Sequence, residues 1–277
     1  VATYVYLPGH LIISLPAYLM TNTLFGWYDQ RLIYIIALAG LMAVAWWALK
    51  QSPVREPLVA LFALSPFAII LYYYGTNEIV MIALLALAAV LTARRRFWLA
   101  AAALGLALAD KQLSWIIGLP LLVAIWRLAP DLRNRLVVAW LTFGIPFISI
   151  LPFLIWGPID LLQDTLGFFS RDVTYPAGGE GVGGLLVSAG VIAPDQPFPF
   201  WLLELLFAVP ILTIIARWVW NDRRPHRLLL AGTLAFVTIS FFWRYFLPAH
   251  VEAAVMMIGL TFLVREVEQR VNVRRSA

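Results

Sequence analysis

Residues 79–91 read IVMIALLALAAVL, an unbroken apolar run. The strands of a membrane β-barrel alternate apolar and polar residues, and this stretch does not alternate. Lipid offers the backbone no hydrogen-bonding partner, so only helices and closed barrels satisfy their backbone groups in a bilayer. The stretch therefore predicts a membrane helix, and similar runs along the chain extend that prediction to an all-α polytopic membrane protein.

The composition supports this class. The chain is 62% hydrophobic and 13% charged, whereas a soluble domain carries about 45–50% apolar and about 25% charged residues. The net charge of +5 does not indicate nucleic-acid binding, because the basic residues cluster at the ends of apolar segments, where membrane topology places them. No nucleic-acid partner is predicted. The chain contains no cysteine, so disulfides and thiol chemistry are excluded.

The apolar segments predict about nine transmembrane helices. Their approximate bounds are 31–49, 57–73, 78–93, 97–109, 113–126, 136–156, 200–219, 228–243 and 250–264. A further segment, 7–25, contains His10, Ser14 and Pro16 in its interior. These residues favour a helix that lies in the outer membrane interface over one that spans.

The basic residues predict the orientation. Most of the 20 Lys and Arg residues fall in alternate connections between the nine segments, and the positive-inside rule places such connections in the cytoplasm. We therefore expect a multi-pass protein of the cell membrane with a cytoplasmic C-terminus. One transmembrane domain, 1–277, accounts for the chain, and its parts are the interfacial helix 7–25, six spans in 31–156, an outer loop 157–199, three spans in 200–264 and a basic tail 265–277.

The outer loop is the largest region predicted to lie outside the membrane. Residues 158–169 (PIDLLQDTLGFF) predict a short helix, and the glycines of residues 177–184 (AGGEGVGG) predict turns and mobility. Residues 184–193 (GLLVSAGVIA) are too short to span, so we expect them to dip into the membrane or lie flat on it.

Asp110 and Lys111 separate two short apolar segments. Segment 97–109 is roughly 20 Å long as a helix, against a hydrocarbon core of roughly 30 Å, which places both charges below the outer membrane surface. Two interpretations stay open. The charges neutralise each other and cap helix ends, or Lys111 holds an anion in a cavity that opens outward while Asp110 orients it or binds a sugar hydroxyl.

Other polar residues lie at the same predicted rim. Asn77 and Glu78 begin a helix, where they suit either an N-cap and a dipole partner or a substrate site. Arg244 and Tyr245 end another segment, as a snorkelling arginine in an aromatic belt or as a phosphate and sugar site. Arg171 lies in the outer loop, where a solvated surface is the alternative. The three His residues are far apart in the sequence, and no zinc site is predicted from them.

The order of these features resembles the GT-C superfamily of integral-membrane glycosyltransferases. Residues 6–26 (YLPGHLIISLPAYLMTNTLFG) are similar to the proline-bearing interfacial helix, and residues 65–91 (SPFAIILYYYGTNEIVMIALLALAAVL) to a hairpin with an acid before the span. Residues 97–122 (FWLAAAALGLALADKQLSWIIGLPLL) resemble a stretch in which the family carries a lysine at the position of Lys111. Residues 244–260 (RYFLPAHVEAAVMMIGL) resemble a late segment in which Arg244 and Tyr245 match.

The resemblance implies a GT-C-like helical bundle. Within the superfamily, the chain resembles protein O-mannosyltransferases and aminoarabinose transferases. The resemblance implies an enzyme that moves a sugar from a polyprenyl-phosphate donor to a lipid, glycan or protein acceptor on the outer face of the cell envelope. The site residues that follow are Asn77, Asp110, Lys111, Gln112, Arg171, Arg244 and Tyr245 for substrate, with Lys111 and Arg244 on phosphate. Glu78 is the candidate catalytic acid, or a ligand if a divalent metal is used.

One departure concerns catalysis. The family's principal acid lies in the first outer loop, upstream of the tyrosine-proline stretch with which this chain starts. The acid is therefore expected upstream of Val1, and the chain is either a fragment or a non-catalytic relative. A membrane transporter or lipid flippase is the alternative function. Transporters place charges near the midplane and often show repeats, whereas here the charges lie toward one face and no repeat is found.

Overall fold

The computed structural model describes residues 7–50, 52–64, 77–163, 165 and 176–276. Helices dominate these residues. They are α1 (Pro8–Phe25), α2 (Arg31–Ala48), α3 (Arg55–Leu64), α4 (Glu78–Ala93), α5 (Phe97–Asp110), α6 (Leu113–Leu128), α7 (Leu132–Trp156), α8 (Pro158–Leu162), α9 (Val182–Ser188), α10 (Phe200–Leu203), α11 (Val209–Val219), α12 (Pro225–Phe242) and α13 (Pro248–Ser276). A π-helical turn, Glu204–Ala208, joins α10 to α11. The all-α membrane class predicted from the sequence is confirmed.

Where the chain is described, the predicted segments coincide closely with these helices. Of the predicted segment 57–73, residues 65–73 lie outside the described residues. Four described helices are long and apolar enough to cross a membrane, namely Arg31–Ala48, Leu132–Trp156, Phe200–Val219 and Pro225–Phe242. Three shorter apolar helices, Glu78–Ala93, Phe97–Asp110 and Leu113–Leu128, lie between them in the chain. The last helix runs beyond the predicted span 250–264, so the basic tail continues the helix up to Ser276.

Helices α4 and α5 form the centre of the bundle. Helix α5 packs between α4 and α7, and its alanines, among them Ala100 and Ala107, are fully buried. Small side chains let helix backbones approach closely in a bilayer, where dispersion contacts replace the hydrophobic driving force. Gly105 lies directly against the Leu141 backbone. Gly232 of α12 similarly faces α6, where an added Cβ would lie 2.6 Å from the Ile117 carbonyl oxygen.

The glycine-rich part of the outer loop differs from its prediction. Gly178–Gly179 form a strand, β1, that pairs in parallel with Tyr245–Phe246, β2. The Glu180 N–H donates to the Phe246 carbonyl at 2.7 Å. Gly179 has φ +83°, and an added Cβ there would overlap the Phe246 backbone. The glycines therefore serve close backbone approach, which the same residue type permits as readily as it permits turns.

The segment after β1 is also packed. Residues 182–188 form helix α9 beside the two strands, and Ala177, Ile192 and Phe200 make a small apolar cluster next to it. The first residues of the predicted helix 158–169 form α8, Pro158–Leu162, and residues 164 and 166–169 lie outside the described residues. Both short helices connect longer ones at the end of the bundle where α4 begins and α5 ends.

Candidate functional site

Lys111 is the centre of the candidate site. Its ammonium group donates to Asn77 Oδ1 at 2.7 Å and forms an ion pair with Glu78 Oε1. Lys111 is 6% exposed and Glu78 is 4% exposed. A buried charge at membrane depth is costly unless it is paired. This pair joins the first residue of α4 to the residue that follows α5.

Local structure explains why these side chains meet. Helix α5 ends at Asp110, Lys111 has extended backbone angles, and α6 begins at Leu113. This short reversal points Lys111 toward the first turn of α4. Asn77 occupies the N-cap position of α4 without a side-chain capping bond, because its oxygen accepts from Lys111 instead. The capping role considered for Asn77 is therefore wrong.

Asp110 takes a different partner. Its Oδ1 lies 2.7 Å from His10 Nδ1, and Asp110 is completely buried. His10 Nε2 is 3.0 Å from Gln30 Nε2, and Gln30 donates to Ser14 at 2.7 Å and accepts from Tyr28 at 2.5 Å. A polar network thus runs from the end of α5 through α1 to the start of α2. The first interpretation of the sequence, mutual neutralisation of Asp110 and Lys111, does not describe these contacts.

Sequence reasoning missed His10. The polar residues of α1 predict a helix at the membrane surface, and the structure shows that His10, Ser14 and Thr21 are buried against the bundle. Their spacing of four and seven residues repeats on one helical face, and this periodicity is the signal that could have revealed an inward-facing stripe. The interfacial location of α1 itself stays a prediction.

His250 and Glu252 lie at the start of α13 and are buried. Both lie within electrostatic range of Glu78. The His250 ring lies 5.9 Å from the rings of Phe236 and Phe246. These ring contacts hold the start of α13 against α12 and β2. The sequence places His250 at the same predicted rim as Arg244 and Tyr245, and it predicts a helix-dipole role for Glu252.

Several buried acid oxygens in this group lack a hydrogen-bond donor. Among the described residues, Glu78 Oε2, Asp110 Oδ2 and Glu252 Oε2 have no partner. Buried polar atoms are almost always satisfied, so exceptions require an explanation. Oxygens that accept hydrogen bonds are suited to donors such as the hydroxyl groups of a sugar or an acceptor alcohol.

Arg244 and Tyr245 are positioned by the strand pair. The Arg244 carbonyl accepts from the Gly178 N–H at 3.2 Å, and the Tyr245 ring stacks on Trp243 with centroids 5.7 Å apart. Arg244 is buried, with 7% exposure, so it is not a snorkelling surface arginine. The contacts described for these two residues are separate from the Lys111 pair, and their convergence on one phosphate stays a prediction.

The other predicted site residues are placed less centrally. Gln112 donates to the Thr165 carbonyl at 3.3 Å, which ties the link between α5 and α6 to the outer loop. Arg171 lies outside the described residues. Within the parts of the chain that are described, no group of three or more His, Cys, Asp or Glu residues could hold a metal ion. We therefore derive no step through a metal.

The model of glycosyltransferase family 87 matches residues 4–242, a range that includes α1 to α12 and the Asn77, Glu78, Asp110 and Lys111 cluster. No curated protein matches, and no solved structure matches.

Proposed function

Because this chain belongs to glycosyltransferase family 87, we propose that it moves a sugar from a polyprenyl-phosphate donor to an acceptor on the extracytoplasmic face of the membrane, as a GT-C enzyme. The family membership and the apolar helices make the chain a membrane glycosyltransferase. They give no support to the transporter or flippase alternative. The donor, the membrane face and the GT-C type are the proposed part, together with a lipid, glycan or protein acceptor.

The observation that carries the proposal is the buried ion pair of Lys111 and Glu78 beside the unsatisfied oxygens of Glu78 and Asp110. An ammonium group stabilises the charge of a phosphate that leaves. A phosphate at Lys111 competes with Glu78 for the same donor. Donor binding therefore frees the Glu78 carboxylate toward an acceptor hydroxyl, so that the site becomes basic when the donor is in place.

The proposed reaction is a single displacement. The acceptor oxygen forms a bond to the anomeric carbon as the bond from that carbon to the phosphate oxygen breaks. A carboxylate takes the hydroxyl proton, and Glu78 is the candidate for this role in the chain. The polyprenyl phosphate leaves with the electron pair, and Lys111 and Arg244 stabilise its charge. Arg171 is a weaker candidate for phosphate, and Asn77, Asp110, Gln112 and Tyr245 are assigned to substrate positioning.

A transfer assay tests this proposal. We expect the full-length protein in membrane vesicles to move radiolabel from polyprenyl-phosphate hexose to an acceptor. We expect Lys111→Met and Arg244→Gln each to lower the rate by about 100-fold, the usual loss when a group that stabilises developing charge is removed. Arg31→Gln is the matched control, because Arg31 is an exposed cation at the same predicted rim and pairs with Asp29.

The control should retain at least half of the wild-type rate. Unchanged transfer in both Lys111→Met and Arg244→Gln contradicts the site. Transfer by the wild type from a nucleotide sugar, with none from the polyprenyl-phosphate sugar, contradicts the donor. Melting curves of the purified variants distinguish a catalytic loss from a folding loss.

A further inference from the structure

A cluster of arginines lines two cavities at the opposite end of the helices from Lys111. Cavities of about 500 Å³ and about 370 Å³ share Arg127, Arg135 and Arg223 in their walls. Arg95 and Arg224 complete the basic lining of the larger one. This is the end of the bundle that the basic connections predict to be cytoplasmic.

The nearby acids are already engaged. The Glu268 carboxylate accepts from the His226 backbone N–H at 2.8 Å and lies 2.7 Å from the His226 ring nitrogen. Asp222 pairs with Arg224 and Arg227 at 2.8 Å and 3.2 Å. The hydrogen bond from Arg224 holds the pKa of the Asp222 carboxyl well below its ordinary value, so this acid stays ionised and committed to its partners.

Two arginines keep their donors available. Among the described residues, no hydrogen bond or ion pair engages the side chain of Arg135 or Arg223, and the Arg135 Nε is buried without a partner. Arg127 donates to the Asp222 carbonyl at 2.8 Å, which orients its guanidinium group in the wall of both cavities. A guanidinium fork matches the geometry of a phosphate group. The cavities therefore suit a phosphate-bearing anion.

An apolar groove continues from the arginines. It has a volume of about 320 Å³, and it shares Arg127 with both cavities and Trp220 with the smaller one. Its walls come from three helices and include Leu119, Val123, Leu212 and Ala216. From Leu119 to Arg127 the groove follows α6 for about 12 Å. A free phosphate makes no favourable contact with the apolar walls of this groove, whereas a hydrocarbon chain fits between them.

We propose that this end of the protein binds an anionic glycerophospholipid. The phosphate group lies between Arg127, Arg135 and Arg223, and an acyl chain lies in the groove between α6, α11 and α12. The inner leaflet of a cell membrane supplies such lipids, and each arginine near them contributes about 1 kcal/mol of attraction. The site is distinct from the proposed transfer site, and neither proposal depends on the other.

Native mass spectrometry of the purified, delipidated protein tests the site, with dioleoyl phosphatidylglycerol and dioleoyl phosphatidylcholine as probes. We expect phosphatidylglycerol to bind more tightly than phosphatidylcholine. We expect the double variant Arg135→Gln/Arg223→Gln to weaken phosphatidylglycerol binding by more than about tenfold. The matched control is Arg133→Gln/Arg217→Gln, because both arginines are exposed at the same end and line none of the three cavities. We expect less than about threefold change for the control.

A second variant tests the groove while it retains every arginine. Ala216→Phe fills the groove and should weaken phosphatidylglycerol binding, whereas Ile214→Phe on the exposed side of α11 should not. Equal weakening by the two arginine double variants, or equal binding of the two lipids, overturns the proposal. It is also overturned if millimolar inorganic phosphate displaces the lipid while Ala216→Phe has no effect, since the ligand is then a free phosphate.

Discussion

At the scale of single residues, the ion pair of Lys111 and Glu78 decides how charge is held at membrane depth. Water does not solvate either side chain, because both are nearly fully buried. The pair therefore stabilises the bundle only as a pair, and loss of one member leaves the other as an uncompensated buried charge. An exposed pair such as Arg31 and Asp29 is different, because solvent replaces the lost partner.

This difference predicts the outcome of a double-mutant cycle. Lys111→Met alone should destabilise the protein by about 3 kcal/mol, and Lys111→Met combined with Glu78→Leu should recover most of that loss. The cycle is measured by unfolding of the purified protein in detergent. Arg31→Met should change stability by less than about 1 kcal/mol. Strictly additive effects of the Lys111 and Glu78 substitutions would show that the two charges are not coupled.

At the scale of helices, small residues at crossings determine how closely the bundle packs. Gly232 of α12 faces the backbone of α6, whereas Gly40 of α2 has open space around the position of a Cβ. The two glycines are both inside helices, so their helix propensities are the same and only their surroundings differ. They therefore form a matched pair for separating packing from propensity.

We expect Gly232→Ala to destabilise the protein by about 1–3 kcal/mol, because the added methyl group overpacks the crossing with Ile117. Gly40→Ala should leave stability unchanged or raise it by up to about 1 kcal/mol. Melting midpoints in the same detergent measure both effects. A neutral Gly232→Ala would mean that the two helices can separate at this crossing without loss.

The strand pair belongs to the same scale. The sequence pattern of residues 177–184 indicated turns, because glycine is the residue that turns require. In the folded chain the same glycines admit the backbone of residues 244–246. Local sequence does not distinguish these two uses of glycine, since the partner strand lies more than sixty residues away.

At the scale of the whole molecule, the distribution of basic residues predicts the orientation in the membrane. The chain has no cysteine. Labelling of a single introduced cysteine therefore shows on which side of the membrane that position lies, with no signal from other thiols of the chain. Gln196 lies in the predicted outer loop and Asn221 in a predicted cytoplasmic connection, and both are exposed. They are suitable positions for such labels.

We expect a membrane-impermeant maleimide applied to intact cells or spheroplasts to label Gln196→Cys and not Asn221→Cys. Permeabilisation should make both positions reactive. The reverse pattern would place the Lys111 cluster on the cytoplasmic side and remove the basis for an extracytoplasmic reaction, while the chemistry of the cluster would stay as described.

The pattern of apolar residues was enough to predict the helical class and most helix boundaries, including Glu78–Ala93 to the residue. A chain in lipid must satisfy each backbone group within its own helix, so this outcome depends on local sequence alone. It was also enough to single out Glu78, Asp110 and Lys111 as candidate site residues, because charges among apolar residues are conspicuous, and Asn77 as the polar neighbour of Glu78.

The partners of those charges could not be read from the sequence. Helix α5 is apolar around its whole circumference, so its pattern does not tell which face meets which neighbour. The contacts of Asp110 with His10 and of Lys111 with Glu78 join residues 100 and 33 positions apart. Only the packing of the helices against one another, which depends on small residues and side-chain shape, brings these groups together.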